Sequence, residues 1–171
     1  DGGGARPGRD PVPHHRRLWG GRRGLGGLKR AGKVGEDRIH ALIDDLSAWQ
    51  QWSPWEGLDA NLDRTYSGPA SGVGSHYAWS GNKDAGAGSM EITGSTPQRI
   101  DVDLRFTKPW KAHNRVALTL APVGDTTDVT WTMSGENKGI AALFAKVVNM
   151  DKMLRKDFEK GLAQLKAVAE T

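Results

Sequence analysis

Apolar residues recur at every second position through the middle of this chain and at every third or fourth position near its end. The cleanest stretch is 99–107, with Ile100, Val102, Leu104 and Phe106 on one side and Asp101, Asp103 and Arg105 on the other. Period two is the signature of a half-buried strand. The same reading predicts strands over 61–67, 74–80, 88–94, 114–121 and 126–134. Turn residues such as Gly68, Pro69, Ser71 and Gly72 stand between them. Connections this short make successive strands antiparallel neighbours, and strict alternation means one wet face and one covered face.

The covering element is predicted at the end of the chain. Leu143, Val147, Met150, Leu154, Phe158, Leu162, Leu165 and Val168 form one apolar stripe at helical spacing. Lys146, Lys152, Lys156, Lys160 and Lys166 occupy the opposite face. Some thirty helical residues span about 45 Å, whereas a strand of eight spans about 27 Å. A straight helix would overhang the sheet. Two arrangements follow: a break near Asn149 or Asp151 that leaves a short helix over 140–148, or one continuous, tilted helix.

Ahead of the strands, Ile39, Leu42, Ile43 and Leu46 predict a short amphipathic helix with Asp37 as its cap. Trp49, Trp52 and Trp55 follow, and Pro54 disfavours helix at Ser53. These indoles plug one end of the core, wall a ligand cavity, or do both.

Charge divides the chain. Residues 1–38 carry ten Lys and Arg against four Asp and Glu, a net of +6, and the remainder nets −2, giving +4 overall. The basic character belongs to the N-terminal segment, so the body offers no electrostatic reason to expect nucleic acid. Eleven of the 23 glycines also lie in residues 1–38. Residues 1–35 therefore read as a Gly/Arg-rich tail that cannot offset its ordering entropy. Its composition is also what GC-rich DNA encodes out of frame, so the tail is expected to be disordered or not native to the protein. Residues 36–171 form the domain. With no cysteine there is no disulfide, thiol nucleophile or cysteine metal site, which fits a cytoplasmic protein. No apolar run is long enough to span a membrane.

Particular residues carry a resemblance. Trp52-Ser53-Pro54-Trp55, Tyr66-Ser67-Gly68, Gly72-Val73-Gly74, Trp79-Ser80-Gly81-Asn82-Lys83 and Gly88-Ser89-Met90 are similar to motifs of the START-like (SRPBCC) superfamily, in its bacterial polyketide cyclase/dehydrase-like branch. So are Thr130-Trp131-Thr132-Met133-Ser134-Gly135 and the closing Lys156-Asp157-Phe158-Glu159-Lys160-Gly161-Leu162. The resemblance implies an α+β helix-grip fold: a curved antiparallel sheet of six to seven strands wrapped around a long C-terminal helix, with two short helices near the N-terminal end. In that layout a first strand precedes the first helix. Here the corresponding stretch, about 24–35, is glycine-rich, and the expectation is a weak or absent first strand. The 126–134 strand would then be left as an exposed edge.

The resemblance also implies a cavity between sheet and helix that binds a small hydrophobic ligand, lipid-like or polyketide-like. Its expected lining is Tyr77, Trp79, Met90, Ile92, Leu104, Phe106, Leu118, Trp131, Met133, Leu154 and Phe158, with Trp52 and Trp55 at one end and Trp110 over the mouth. The same residues could equally fill a solid core. The alternative is a polyketide cyclase/dehydrase-type enzyme, and a weaker one is a protein-interaction module of stress-response type. No catalytic set stands out. No histidine spacing suggests a metal, no Gly-x-Ser-x-Gly elbow occurs, and no cofactor is expected. Tyr77, Glu91, Arg105 and Glu136 are the polar groups considered for acid–base work, with Glu91 and Arg105 assigned by alternation to the solvent face.

Overall fold

The computed structural model describes residues 24–29, 33–135 and 150–171. Strand β1 is Gly24–Lys29 and helix α1 is Lys33–Asp44. A 3₁₀ turn at Ala48–Gln51 follows. The alternating segments become β2 (Asp63–Ser67), β3 (His76–Ser80), β4 (Ala87–Thr96), β5 (Arg99–Lys108), β6 (Ala112–Val123) and β7 (Thr126–Gly135). Helix α2, Met150–Ala169, closes the chain. Each predicted strand is present, with ends moved by one or two residues. The described strands form one curved antiparallel sheet in the order β1-β7-β6-β5-β4-β3-β2, the α+β helix-grip arrangement.

The expectation of a weak or absent first strand is overturned. β1 pairs antiparallel with β7 along its whole length, from Gly24 opposite Trp131 to Lys29 opposite Thr126. A ladder is made by backbone N–H and C=O groups, which a glycine carries like any other residue. The open edge of β7 demands partners for its own groups. Side-chain alternation, the signal used to find strands, was missing at β1 although the hydrogen-bonding capacity was not.

The covered face is built as the alternation predicts. Ile100, Val102, Leu118, Leu120, Val129 and Trp131 are buried, as are Ile39, Ile43 and Leu46 from α1 and the turn after it. The tryptophans after α1 also finish that helix. Trp49 Nε1 donates to the Ile43 carbonyl and Trp52 Nε1 to the Leu42 carbonyl, each at 2.9 Å. Both carbonyls are in the last turn, where intrahelical donors run out.

Helix α2 lies against β1 and β7 and reaches α1, where Arg38 Nη2 donates to the Val168 carbonyl at 3.3 Å. Phe158, Leu162 and Leu165 of the stripe are buried, and Leu154 and Val168 are half-buried. Gly161 allows the close approach: a Cβ there would stand 2.8 Å from Trp131 and 2.9 Å from Pro54. Leu143, Val147, the short helix expected over 140–148 and most of the expected break region lie outside the described residues.

Candidate functional site

In an antiparallel ladder, directly opposed residues share a face. Arg64 opposes Trp79, Tyr66 opposes Tyr77, and Tyr77 opposes Met90, which opposes Leu104. Gly88 stands between Trp79 and Phe106. All of these face the same side of the sheet as Leu118 and Trp131. Two aromatic groups form on this concave face.

The first ties sheet to helix. Trp131 stacks on Phe158 of α2 with ring centroids 4.6 Å apart. Trp49, Trp52 and Trp55 meet its edges at 5.9, 5.6 and 5.6 Å. Trp55 Nε1 donates to Asp157 of α2 at 3.3 Å. Trp52, Trp131, Phe158 and Leu118 are essentially inaccessible here, so this half of the interface is closed packing.

The second group runs across β2, β3 and β5. Tyr66 stacks on Tyr77 at 4.9 Å, Tyr77 on Trp79 at 5.8 Å, and the edge of Phe106 meets Trp79 at 5.7 Å. Gly88 makes room, because a Cβ there would lie 2.6 Å from the Trp79 ring. Trp79, Phe106 and Met133 are only half-buried, and Tyr66 is exposed.

A polar corner adjoins this row. Arg64 Nη2 pairs with Glu56 Oε2 at 2.5 Å, and its Nη1 reaches the Leu62 carbonyl at 3.4 Å. Gln50 Nε2 donates to the Tyr66 hydroxyl at 2.9 Å. Arg64 Nε is buried without a partner. Burial pushes the Tyr77 hydroxyl up to about 12, with Tyr66 and Glu56 adding to the rise and the adjacent Arg64 guanidinium opposing it. Burial raises Tyr66 as well, against the Gln50 hydrogen bond and the Arg64 charge. Both phenols therefore stay protonated donors at neutral pH.

Of the residues expected at the site, Trp52, Tyr77, Met90, Ile92, Leu104, Leu118, Trp131 and Phe158 are buried, and Trp55, Trp79, Phe106, Met133 and Leu154 are half-buried. Trp110 sits on the β5–β6 loop, 54% exposed. Glu91 and Arg105 are exposed on the opposite face, and Glu136 lies outside the described residues. Glu56, Arg64, Tyr66 and Gln50 were missed. Strand β2 has no apolar alternation, but Arg64 and Tyr66 are two apart, and the hairpin to Tyr77 and Trp79 could have placed them together. A hollow of about 280 Å³ lies elsewhere, beside the start of α1 and the β4–β5 turn, among Glu36, Asp37, His40, Ser95, Thr96 and Pro97. Among the described residues no group of three His, Asp or Glu is placed to hold a metal, and no helix is long and apolar enough to cross a membrane.

A family model described as polyketide cyclase / dehydrase and lipid transport matches residues 34–170. The chain belongs to that family. The polyketide cyclase / dehydrase family thus accounts for most of the sequence. Solved structures share the fold at low identity. A protein from Chromobacterium violaceum superposes with a TM-score of 0.60 at 16% identity, over 89% of this chain and 99% of that one. One from Thermus thermophilus gives 0.58 at 15%, over 87% and 96%. DynU16, from the dynemicin biosynthetic locus, gives 0.53 at 14%, over 87% of this chain and 47% of that one. No curated protein sequence matches the chain.

Proposed function

We propose that the protein binds a small hydrophobic ligand, lipid-like or polyketide-like, between the concave face of the sheet and α2. The observation that carries this reading is the half-buried row formed by Tyr77, Trp79 and Phe106, with Met133 and Leu154 partly open as well. Apolar walls with a few polar tips are the usual make-up of a small-molecule site. Membership of a family described by polyketide cyclisation and lipid transport supports the same ligand classes. The fully buried members of the expected lining, Trp52, Leu118, Trp131 and Phe158, serve as the floor that holds the two layers together.

The test is direct. Tryptophan fluorescence, titrated with the apolar dye anilinonaphthalene sulfonate, should saturate. Native mass spectrometry of protein taken from cells should show a co-purifying apolar adduct. Trp79→Ala should weaken dye binding roughly tenfold, because a large apolar contact is lost. A clean apo mass together with no dye binding would overturn the reading.

A second reading, cyclase/dehydrase chemistry on a poly-keto substrate, is favoured by one observation. The Arg64–Glu56 pair and the Tyr77 hydroxyl converge beside the aromatic row. Acid–base chemistry needs such a group next to an apolar site.

A further inference from the structure

A guanidinium on the concave face of a sheet is costly to bury unless it is paired. Glu56 pairs Arg64 from the segment after the 3₁₀ turn, so two separate elements hold the charge at a position opposite Trp79. Arg64 donates to Glu56 and to the Leu62 carbonyl, and its guanidinium also acts as a donor toward the Tyr77 hydroxyl. An arginine has no acceptor. The Tyr77 oxygen therefore receives, and its own O–H proton points elsewhere. Among the described residues no acceptor is within hydrogen-bond reach of that proton. The Tyr77 ring is 7% exposed, yet its oxygen is not among the sealed atoms that lack a partner, which are Arg64 Nε, Thr127 Oγ1, Trp131 Nε1 and Gln164 Oε1. The oxygen thus keeps accessible surface at the tip of an otherwise buried ring.

Resting on the ligand-binding reading above, we propose that Tyr77, oriented by the Arg64–Glu56 pair, donates a hydrogen bond to a carbonyl or enol oxygen of the ligand, so that the site selects oxygen-bearing ring compounds over hydrocarbons of the same shape. Tyr77 is the contacting group, and Arg64 is a positioning residue. Because burial holds the phenol protonated across the neutral range, the donor is available at any working pH. The neighbouring rings supply apolar contact that does not discriminate, and the hydroxyl supplies the discrimination. A site built to donate rejects an analogue without the acceptor because its polar group is then left unpaired.

Fluorene and fluorenone separate these contributions, since they share a ring frame and differ in one carbonyl. Isothermal titration of the full chain should give tighter binding of the ketone. Tyr77→Phe removes one oxygen and should weaken fluorenone roughly fivefold to tenfold while leaving fluorene unchanged. Arg64→Met should erode the same preference. Should that variant fold poorly, Tyr77→Phe alone decides. Equal binding of the two compounds by the unaltered protein, or parallel weakening of both in Tyr77→Phe, would overturn the hydrogen-bond assignment and leave the ligand site standing. Failure of the unaltered protein to bind either compound would overturn the ligand site itself.

Discussion

Asp103 faces away from the aromatic row, and its surroundings create a pH dependence. Its side chain is 18% exposed on the outer face of the sheet, where His113 Nε2 contacts Oδ1 and Arg105 Nε donates to Oδ2 at 2.8 Å. Partial burial pushes this carboxyl upward. The hydrogen bonds and charges of His113 and Arg105 outweigh it and hold the group below the usual carboxylate value. A carboxyl depressed on folding contributes stability that is whole above about pH 4, its ordinary value, and that is lost as pH falls through the lower folded value. Urea unfolding should therefore show Asp103→Asn losing less stability than the unaltered protein between about pH 5 and pH 2. Parallel curves would rule out the contribution. Alternation alone placed Asp103 on the wet face. Its partner His113 could be named only from the register that sets Arg105 opposite His113.

Among the elements, β1 is the one whose sequence argued against it, and its removal is informative. With β1 gone, the backbone groups of β7 from Thr126 to Trp131 lose their ladder, and an unpaired edge of that length invites pairing with another molecule. Helix α2 also rests on β1. A chain starting at residue 31 should melt roughly 5 °C lower or more. It should also self-associate, as light scattering coupled to size exclusion would report. An unchanged melting temperature with a monomeric mass would show that β1 adds nothing. The other elements were legible because each carries its own period. The 126–134 strand reads Val129, Trp131 and Met133 against Thr130 and Thr132, and α2 reads Phe158, Leu162 and Leu165 at helical steps.

At the scale of the whole molecule, the order of strands sets where stability lies. β5 and β6 are long and paired on both sides, whereas β2 has five residues and is paired only with β3. Amide hydrogen exchange should be slowest at the centre of β5 and β6 and fastest among the strands at β2. Comparable rates in β2 and β6 would contradict this order. The same gradient crosses the candidate site. The Trp131–Phe158 stack sits on the well-covered side, and Tyr66 with Arg64 sits on the edge strand. A rigid floor with a looser wall suits a site that admits a ligand.

The amino-acid pattern by itself determined the six alternating strands, the inward face of each, the amphipathic terminal helix and the family. All of these follow from periods and motifs that neighbouring residues along the chain express. Three matters were decided only in three dimensions. A glycine-rich segment completes the sheet, because β7 needed backbone partners and glycine can supply them. The apolar residues divide into a sealed half around Trp131 and a half-open row around Trp79, because α2 reaches one part of the sheet more closely than the other. Glu56, Arg64 and Tyr77 meet, because a hairpin register and a loop bring together side chains whose types alone gave no reason to group them.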